Sequence, residues 1–391
     1  MKKIYKMINK IQNYDWGTCD FIANLKGDEI SGKPQAELWM GAHPKASSEV
    51  IVDGEIISLD KLISQNPSEY LGDIIANKFN GKLPYLLKIL SAKSALSIQV
   101  HPSKKQAEIG FEIEEKKGIK LTAFERNYKD KNHKPELICA LTDFYAMCGF
   151  RSLEKIHSFW EYNKIWSEQS KDFIKKPNSA NFQALFFQLL GLNKNLQISL
   201  VEDLFNNLLP ARDSDDEIII NWMRKLNEKY PGDIAVLAPI YMNVIKLKPG
   251  ESLFLKAGLI HAYLQGSGIE IMANSDNVLR GGLTSKHVDL VELQKTLLFD
   301  FGDMKTIDVE KDEFAEKYPT SAEEFELVRQ TKFPVKNSIN SCEILLCTKG
   351  EIKVEEIIVK AGESLFISAS AKNYQIYGNG EIFRARIPEE D

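Results

Sequence analysis

Lys248-Pro249-Gly250-Glu251-Ser252-Leu253-Phe254 returns later in the chain as Lys360-Ala361-Gly362-Glu363-Ser364-Leu365-Phe366, and the same offset pairs Gly266 with Gly378 and Gly268 with Gly380. So many matches in one register indicate two copies of one β-unit, each with a glycine turn between strands, and so a duplicated barrel or jelly roll. The copies differ where chemistry is concerned. His261 in the first corresponds to Asn373 in the second, so a histidine-dependent site is expected in one copy only.

The rest of the chain fits around this pair. Residues 1 to 150 read as β-rich, with short apolar or alternating segments such as Glu49 to Val52 and Glu136 to Leu141 between Gly, Pro, Asn and Asp clusters. Short outer helices are expected at Leu59 to Gln65 and Pro67 to Phe79. After Phe150 the period becomes helical. Phe182, Leu185, Phe186, Leu189 and Leu190 form one stripe before Gly191. Val201, Leu204, Phe205, Leu208 and Leu209 form another, following a Ser199-to-Glu202 capping pattern, and Ile219, Trp222, Met223 and Leu226 a third. Ser170 to Asn181 reads as a polar connection. These stripes predict a helical core rather than a cofactor box. The expected division is 1–151 as the first part of one barrel, 152–235 as a helical insert, 236–320 as the second part of that barrel, and 321–391 as a degenerate second barrel without metal.

At 391 residues, 43% hydrophobic and 27% charged, the chain is long enough for several domains and has an ordinary globular composition. A net charge of −5 with interspersed signs gives no basic field for nucleic acid. No run of about 18 apolar residues occurs, and the early lysines precede no apolar signal core, so a cytoplasmic protein without a membrane span is expected. The five cysteines are an odd number without a Cys-x-x-Cys pair, which predicts reduced thiols, with Cys139 and Cys148 as core fillers. The oligomeric state is open, with a monomer plausible.

One hexapeptide, Ser97-Ile98-Gln99-Val100-His101-Pro102, places an amide and an imidazole two residues apart, on one face of an extended strand that Pro102 tends to stop. Glu136 stands directly after Pro135 at a strand start, and His261 follows the turn Lys256 to Ile260. Two imidazoles and a carboxylate are usual Zn²⁺ ligands and an amide oxygen a rarer one. Residue types alone leave open whether Gln99, His101, Glu136 and His261 converge or are separately hydrogen-bonded.

Five separated motifs bear on that question: Ala36-Glu37-Leu38-Trp39-Met40-Gly41-Ala42-His43-Pro44, the hexapeptide above, Asn127-Tyr128-Lys129-Asp130, Asn132-His133-Lys134-Pro135-Glu136-Leu137, and His261-Ala262-Tyr263 through Asp276-Asn277-Val278-Leu279-Arg280. Together they resemble the type I mannose-6-phosphate isomerases over roughly residues 1 to 300 outside the insert. The resemblance implies a mainly β fold of two cupin-type jelly-roll barrels plus an α-helical domain, and one zinc ion per chain on Gln99, His101, Glu136 and His261. It also implies a substrate pocket including Lys88, Ser97, Lys134, Glu270, Arg280 and Lys286, with Glu37, Tyr263 and Trp16 as supporting walls. The implied reaction interconverts mannose 6-phosphate and fructose 6-phosphate. Arg280 is expected to be essential, and Lys134, His133, Glu270 and His43 are candidate bases. Two rival readings are an iron-dependent cupin oxygenase, which Gln99 and the cationic cluster disfavour, and a sugar-binding cupin without turnover.

Overall fold

The computed structural model describes residues 3–165 and 170–388; the first two residues, the last three of the expected second barrel and positions 166–169 of the expected insert lie outside the described residues. Two antiparallel sheets, of 11 and 10 strands, dominate it. The repeat appears in them as matching strands. Ser252–Leu255 and Ser364–Ile367 grow from the two copies of the repeated segment, and His261–Ala273 and Asn373–Arg386 begin at corresponding positions. Gly266 and Gly378 adopt φ of 123° and 118°. A Cβ there would stand 2.5 Å from the Asp143 carbonyl oxygen and 2.7 Å from that of Glu351. The shared glycines therefore mark the same bend, where only glycine fits.

Period-two alternation sets the layers. Tyr85, Leu87 and Ile89 join Leu137, Cys139, Ile269 and Ile271 from their own sheet and Ile344, Leu346, Phe366 and Phe383 from the other in one apolar layer, so the sheets pack back to back. Leu345, Cys347, Leu365, Ile376 and Ile382 point the opposite way and fill the C-terminal barrel. On the inner face of the 10-stranded sheet, Leu86 belongs to a cluster with Trp39 and Met272, and Leu90 to one with Ile138, Phe144 and Tyr263. Lys88 falls between them, within Tyr85–Ala92. Cys139 and Cys148 are buried, and burial pushes both thiols up to about 12, as inert core residues require.

Strand pairing crosses the boundaries expected from sequence. Ile4–Ile8 pairs with Ser364–Ile367, Ile4 opposite Ile367, and Glu49–Val52 and Glu55–Ser58 extend the same sheet. Glu310–Lys311 and Ala315–Tyr318 enter it through Glu326–Gln330, ahead of the expected boundary at 320. Partners so far apart in sequence leave no local mark.

The helical region contains Leu153–Tyr162, Ser179–Leu190, Lys194–Asn207 and Ser214–Lys229. The helix expected from Ser199 starts earlier because the Asn193 side chain accepts from Leu196 N at 3.1 Å and caps it there. The expected connection from Ser170 to Asn181 holds the short helix Lys171–Lys175 and the start of the next, capped by Asn178. Pro67 to Phe79 is two helices rather than one, broken at Gly72 with φ 89°. Among the described residues, no helix is long and apolar enough to cross a membrane. Trp160, Phe182, Phe186 and Met223 pack in one core with Ile98, Val100 and Leu279. The insert thus buries the apolar alternates of the strand Ile98–Val100, leaving Gln99 for the opposite face.

Candidate metal centre

Strand ends meet at this site. Glu136 and His261 each open a strand, and His101 stands one residue past Ile98–Val100. His101 Nε2 lies 3.2 Å from one Glu136 oxygen and His261 Nε2 3.4 Å from the other, and all three residues are buried. These three form a group able to hold a metal ion. Gln99 is directly opposite His261 in the strand register, which puts their Cβ atoms about 4.5–5.5 Å apart on one face. It therefore adjoins the three.

The second nitrogen of each ring explains why these histidines suit a cation. His101 Nδ1 is 2.7 Å from the Asn277 carbonyl and His261 Nδ1 2.9 Å from the Leu259 carbonyl. A carbonyl only accepts, so each Nδ1 carries the proton and each Nε2 presents a lone pair toward Glu136. Burial lowers the His101 pKa to about 4 even against the pull of Glu136, so its ring is neutral near pH 7. Burial alone would raise the Glu136 pKa, yet the Lys134 ammonium beside it holds it well below the usual carboxylate range. Lone pairs consequently converge on a carboxylate, and His101 Nε2 is buried without a hydrogen-bond partner. A cation among them resolves that conflict, so these residues fit a metal. Lys134, 2.9 Å from Glu136, already contributes one positive charge beside it.

The adjoining wall is a row across the sheet. Trp39, Lys88 and Glu270 occupy paired positions on three neighbouring strands. Lys88 Nζ is 2.8 Å from Glu270 and 3.8 Å from Glu37, and 5.4 Å from the Trp39 ring centroid. Trp39 Nε1 donates to Glu37 at 2.6 Å. Burial disfavours the Lys88 charge, but Glu270 and Glu37 more than offset this and raise its pKa. Burial raises the pKa of Glu270, with Glu136 adding to the rise and Lys88 opposing it. The Tyr263 hydroxyl is buried beside Glu270 without a hydrogen bond of normal geometry. His43 packs edge-on to Trp39 at 5.0 Å, and burial lowers its pKa.

Arg280, opposite Gln99 on the next strand, donates from Nη1 to Ser97 Oγ at 2.6 Å. The exposed Lys286 has its pKa lowered by Arg280 first, then by burial, Lys45 and Lys129. These cations share one field, which favours an anion near Arg280 and Lys286, while Lys45 is paired with Asp276 at 2.9 Å and Lys129 donates to the Leu121 carbonyl at 2.7 Å.

One expected site residue stands apart. His133 turns from the neighbouring Lys134 and binds Glu324 at 2.6 Å through Nε2. That contact with the C-terminal half takes up its Nε2. Trp16 stacks on Tyr14 at 5.7 Å and packs against the cluster containing Tyr263. Sequence reasoning missed Asn277. Its carbonyl fixes His101, while its buried side chain accepts from Lys129 N at 2.6 Å and donates to the Asp130 and Asn132 carbonyls at 2.8 Å. The Asp276-Asn277-Val278 motif marked the place but not this task.

Fold and site together define a cupin-type double-barrel protein with one buried His–Glu–His centre beside an anion-favouring cluster. Residues 4–153 match the family model for the catalytic domain of type I phosphomannose isomerase. The mannose-6-phosphate isomerase of Salmonella typhimurium is 40% identical, with 97% of this chain and 98% of that protein covered. The human mannose-6-phosphate isomerase is 33% identical over 76% of this chain and 73% of its own length. Among solved structures, a zinc-bound mannose 6-phosphate isomerase superposes with a TM-score of 0.91 at 37% identity, covering 99% of this chain and 100% of that one. The chain belongs to the type I mannose-6-phosphate isomerase family.

Proposed function

We propose that this protein interconverts mannose 6-phosphate and fructose 6-phosphate with one zinc ion held by Gln99, His101, Glu136 and His261. The observation that carries the reading is the pair of buried imidazoles whose Nδ1 protons are committed to backbone carbonyls while both Nε2 atoms face the two oxygens of Glu136. A zinc ion there would polarise the sugar oxygen on which negative charge develops as a proton leaves carbon. The protein groups do the rest. Arg280, Ser97 and Lys286 hold the phosphate, Arg by its fork of donors and Lys as a point charge. That anchor fixes which face of C1 and C2 the proton-transfer group meets.

The transfer itself takes the C2 proton of mannose 6-phosphate onto a protein base, leaves an enediolate, and returns a proton to C1 while the C2 hydroxyl proton passes to the C1 oxygen and C2 becomes the carbonyl. Lys134 and Glu270 are the proposed carriers. Both adjoin the Glu136 centre, and the raised Glu270 pKa suits a carboxyl that must hold a proton in passing. His43 supports the wall formed by Trp39.

Turnover in D₂O tests this. Fructose 6-phosphate incubated with the zinc-loaded protein is expected to yield mannose 6-phosphate, not glucose 6-phosphate, with some deuterium at C2. No interconversion at all, with zinc bound and sugar phosphate still binding, would overturn the enzyme reading in favour of a sugar-binding cupin.

A further inference from the structure

The helical insert touches both halves of the anion cluster. At the end of Ser214–Lys229, the Tyr230 hydroxyl donates to the Ala95 carbonyl at 3.0 Å, and Lys229 Nζ donates to the same carbonyl at 2.9 Å and to Ser94 Oγ at 2.7 Å. Ser94 and Ala95 lead directly into Ser97, whose hydroxyl accepts from Arg280. On the other side Ile234–Leu237 lies against Leu279–Gly282, the strand that carries Arg280. Contact there is close enough that a Cβ on Gly282 would meet the Ala235 Cβ at 2.2 Å. One short stretch, 229–237, therefore grips the loop before Ser97 and the strand holding Arg280.

We propose that Tyr230, with Lys229 in support, is a positioning residue for sugar-phosphate binding, setting the separation of the Ser97 hydroxyl from the Arg280 guanidinium. The loop has other attachments, and they leave this task to the insert. Lys93 N and Ser94 N donate to the Trp16 carbonyl, and Leu96 N to that of Tyr263, all fixing backbone on the barrel side. The Ala95 carbonyl is held from the insert alone among the bonds described.

The proposal rests on Ser97 and Arg280 as the phosphate site, and the experiment separates the two claims. Steady-state kinetics on mannose 6-phosphate would compare the zinc-loaded wild type, Tyr230→Phe, Ser97→Ala and the double variant, with zinc content and melting temperature measured on each. One neutral hydrogen bond predicts a rise in KM of about two- to tenfold for Tyr230→Phe, with kcat, zinc content and melting temperature essentially unchanged. In the Ser97→Ala background the same change is expected to add nothing, because the group being positioned is gone. Lys229→Met is expected to move KM in the same direction by less. An unchanged KM in Tyr230→Phe, an equal effect with and without Ser97, or a fall in kcat tracking lost stability would overturn the positioning role. Absent turnover in the wild type, or a Ser97→Ala variant identical to it, would instead show that the underlying phosphate site is wrong, and the proposal would fall with it.

Discussion

The two barrels contrast in what they do with buried charge. In the second, Glu343 and Arg384 form a two-pronged pair at 2.6 and 3.0 Å, Tyr374 donates to the same carboxylate at 2.5 Å, and Arg384 reaches Asn337 at 2.7 Å. The carboxylate and guanidinium are satisfied by each other, Tyr374 and Asn337, although the neighbouring Asn337 Nδ2 and Gln330 Oε1 stay unpartnered. In the first barrel Lys88 and Glu270 pair in a similar way, but beside them His101 keeps an unpartnered Nε2 and the two histidines aim lone pairs at Glu136. One interior is closed electrostatically and the other is left one cation short. Duplicated strands with the same glycine bend can therefore carry either a structural ion pair or a ligand-binding centre. The difference lies in which few side chains find partners within the protein.

The largest expected effect comes from breaking the open centre. His261→Ala is expected to abolish zinc retention and activity while leaving cooperative unfolding intact, since a residue at a strand start is not part of either apolar core. Stoichiometric zinc in the purified variant, measured by elemental analysis, would remove His261 from the ligand set. In the closed barrel the expected loss is of stability instead. Glu343→Ala strands Arg384 without its counter-charge, at a cost of about 3–5 kcal/mol in chemical denaturation, while zinc content and kcat of the folded fraction stay near wild type. A variant as stable as wild type would show that the pair does not hold the second barrel together.

Legibility followed the same divide. The mainly β class, the duplication and the helical stripes were readable because glycine bends and side-chain periodicity are local. The strand ends at His101, Glu136 and His261 were readable from Pro102, Pro135 and the turn before His261, whereas their convergence was legible only through the family resemblance. What escaped was long-range. Pairing of Ile4–Ile8 with Ser364–Ile367 leaves no signal in either segment. His133 reads as a neighbour of Lys134 until Glu324 arrives from the other half. Asn277 acts on His101 through its backbone carbonyl, which every residue possesses, so its identity could not announce that role.

Smaller effects sharpen the contrast. Lys286→Ala removes one charge from the anion cluster, and a charge-assisted contact is worth about 1.5–3 kcal/mol when fully made. Because Lys286 is exposed, an effect toward the lower end is expected, about tenfold in KM for mannose 6-phosphate, with zinc binding unchanged. An unaltered KM would move the phosphate contact elsewhere. Smallest of all is the response to restoring the missing histidine of the second barrel. Asn373→His is expected to gain no metal, because Asn373 is exposed and, among the described residues, the one group able to hold a metal is that of His101, Glu136 and His261. A second bound ion in that variant would mean the second barrel retains more of a site than its closed ion pair suggests.

The difference between an open and a closed barrel is tested most directly by metal analysis and an isomerase assay on one preparation of the wild-type protein. One zinc per chain, with interconversion of mannose 6-phosphate and fructose 6-phosphate lost on chelation and recovered on adding zinc, is the predicted result. Two tightly held ions per chain, or full activity in metal-free protein, would contradict it.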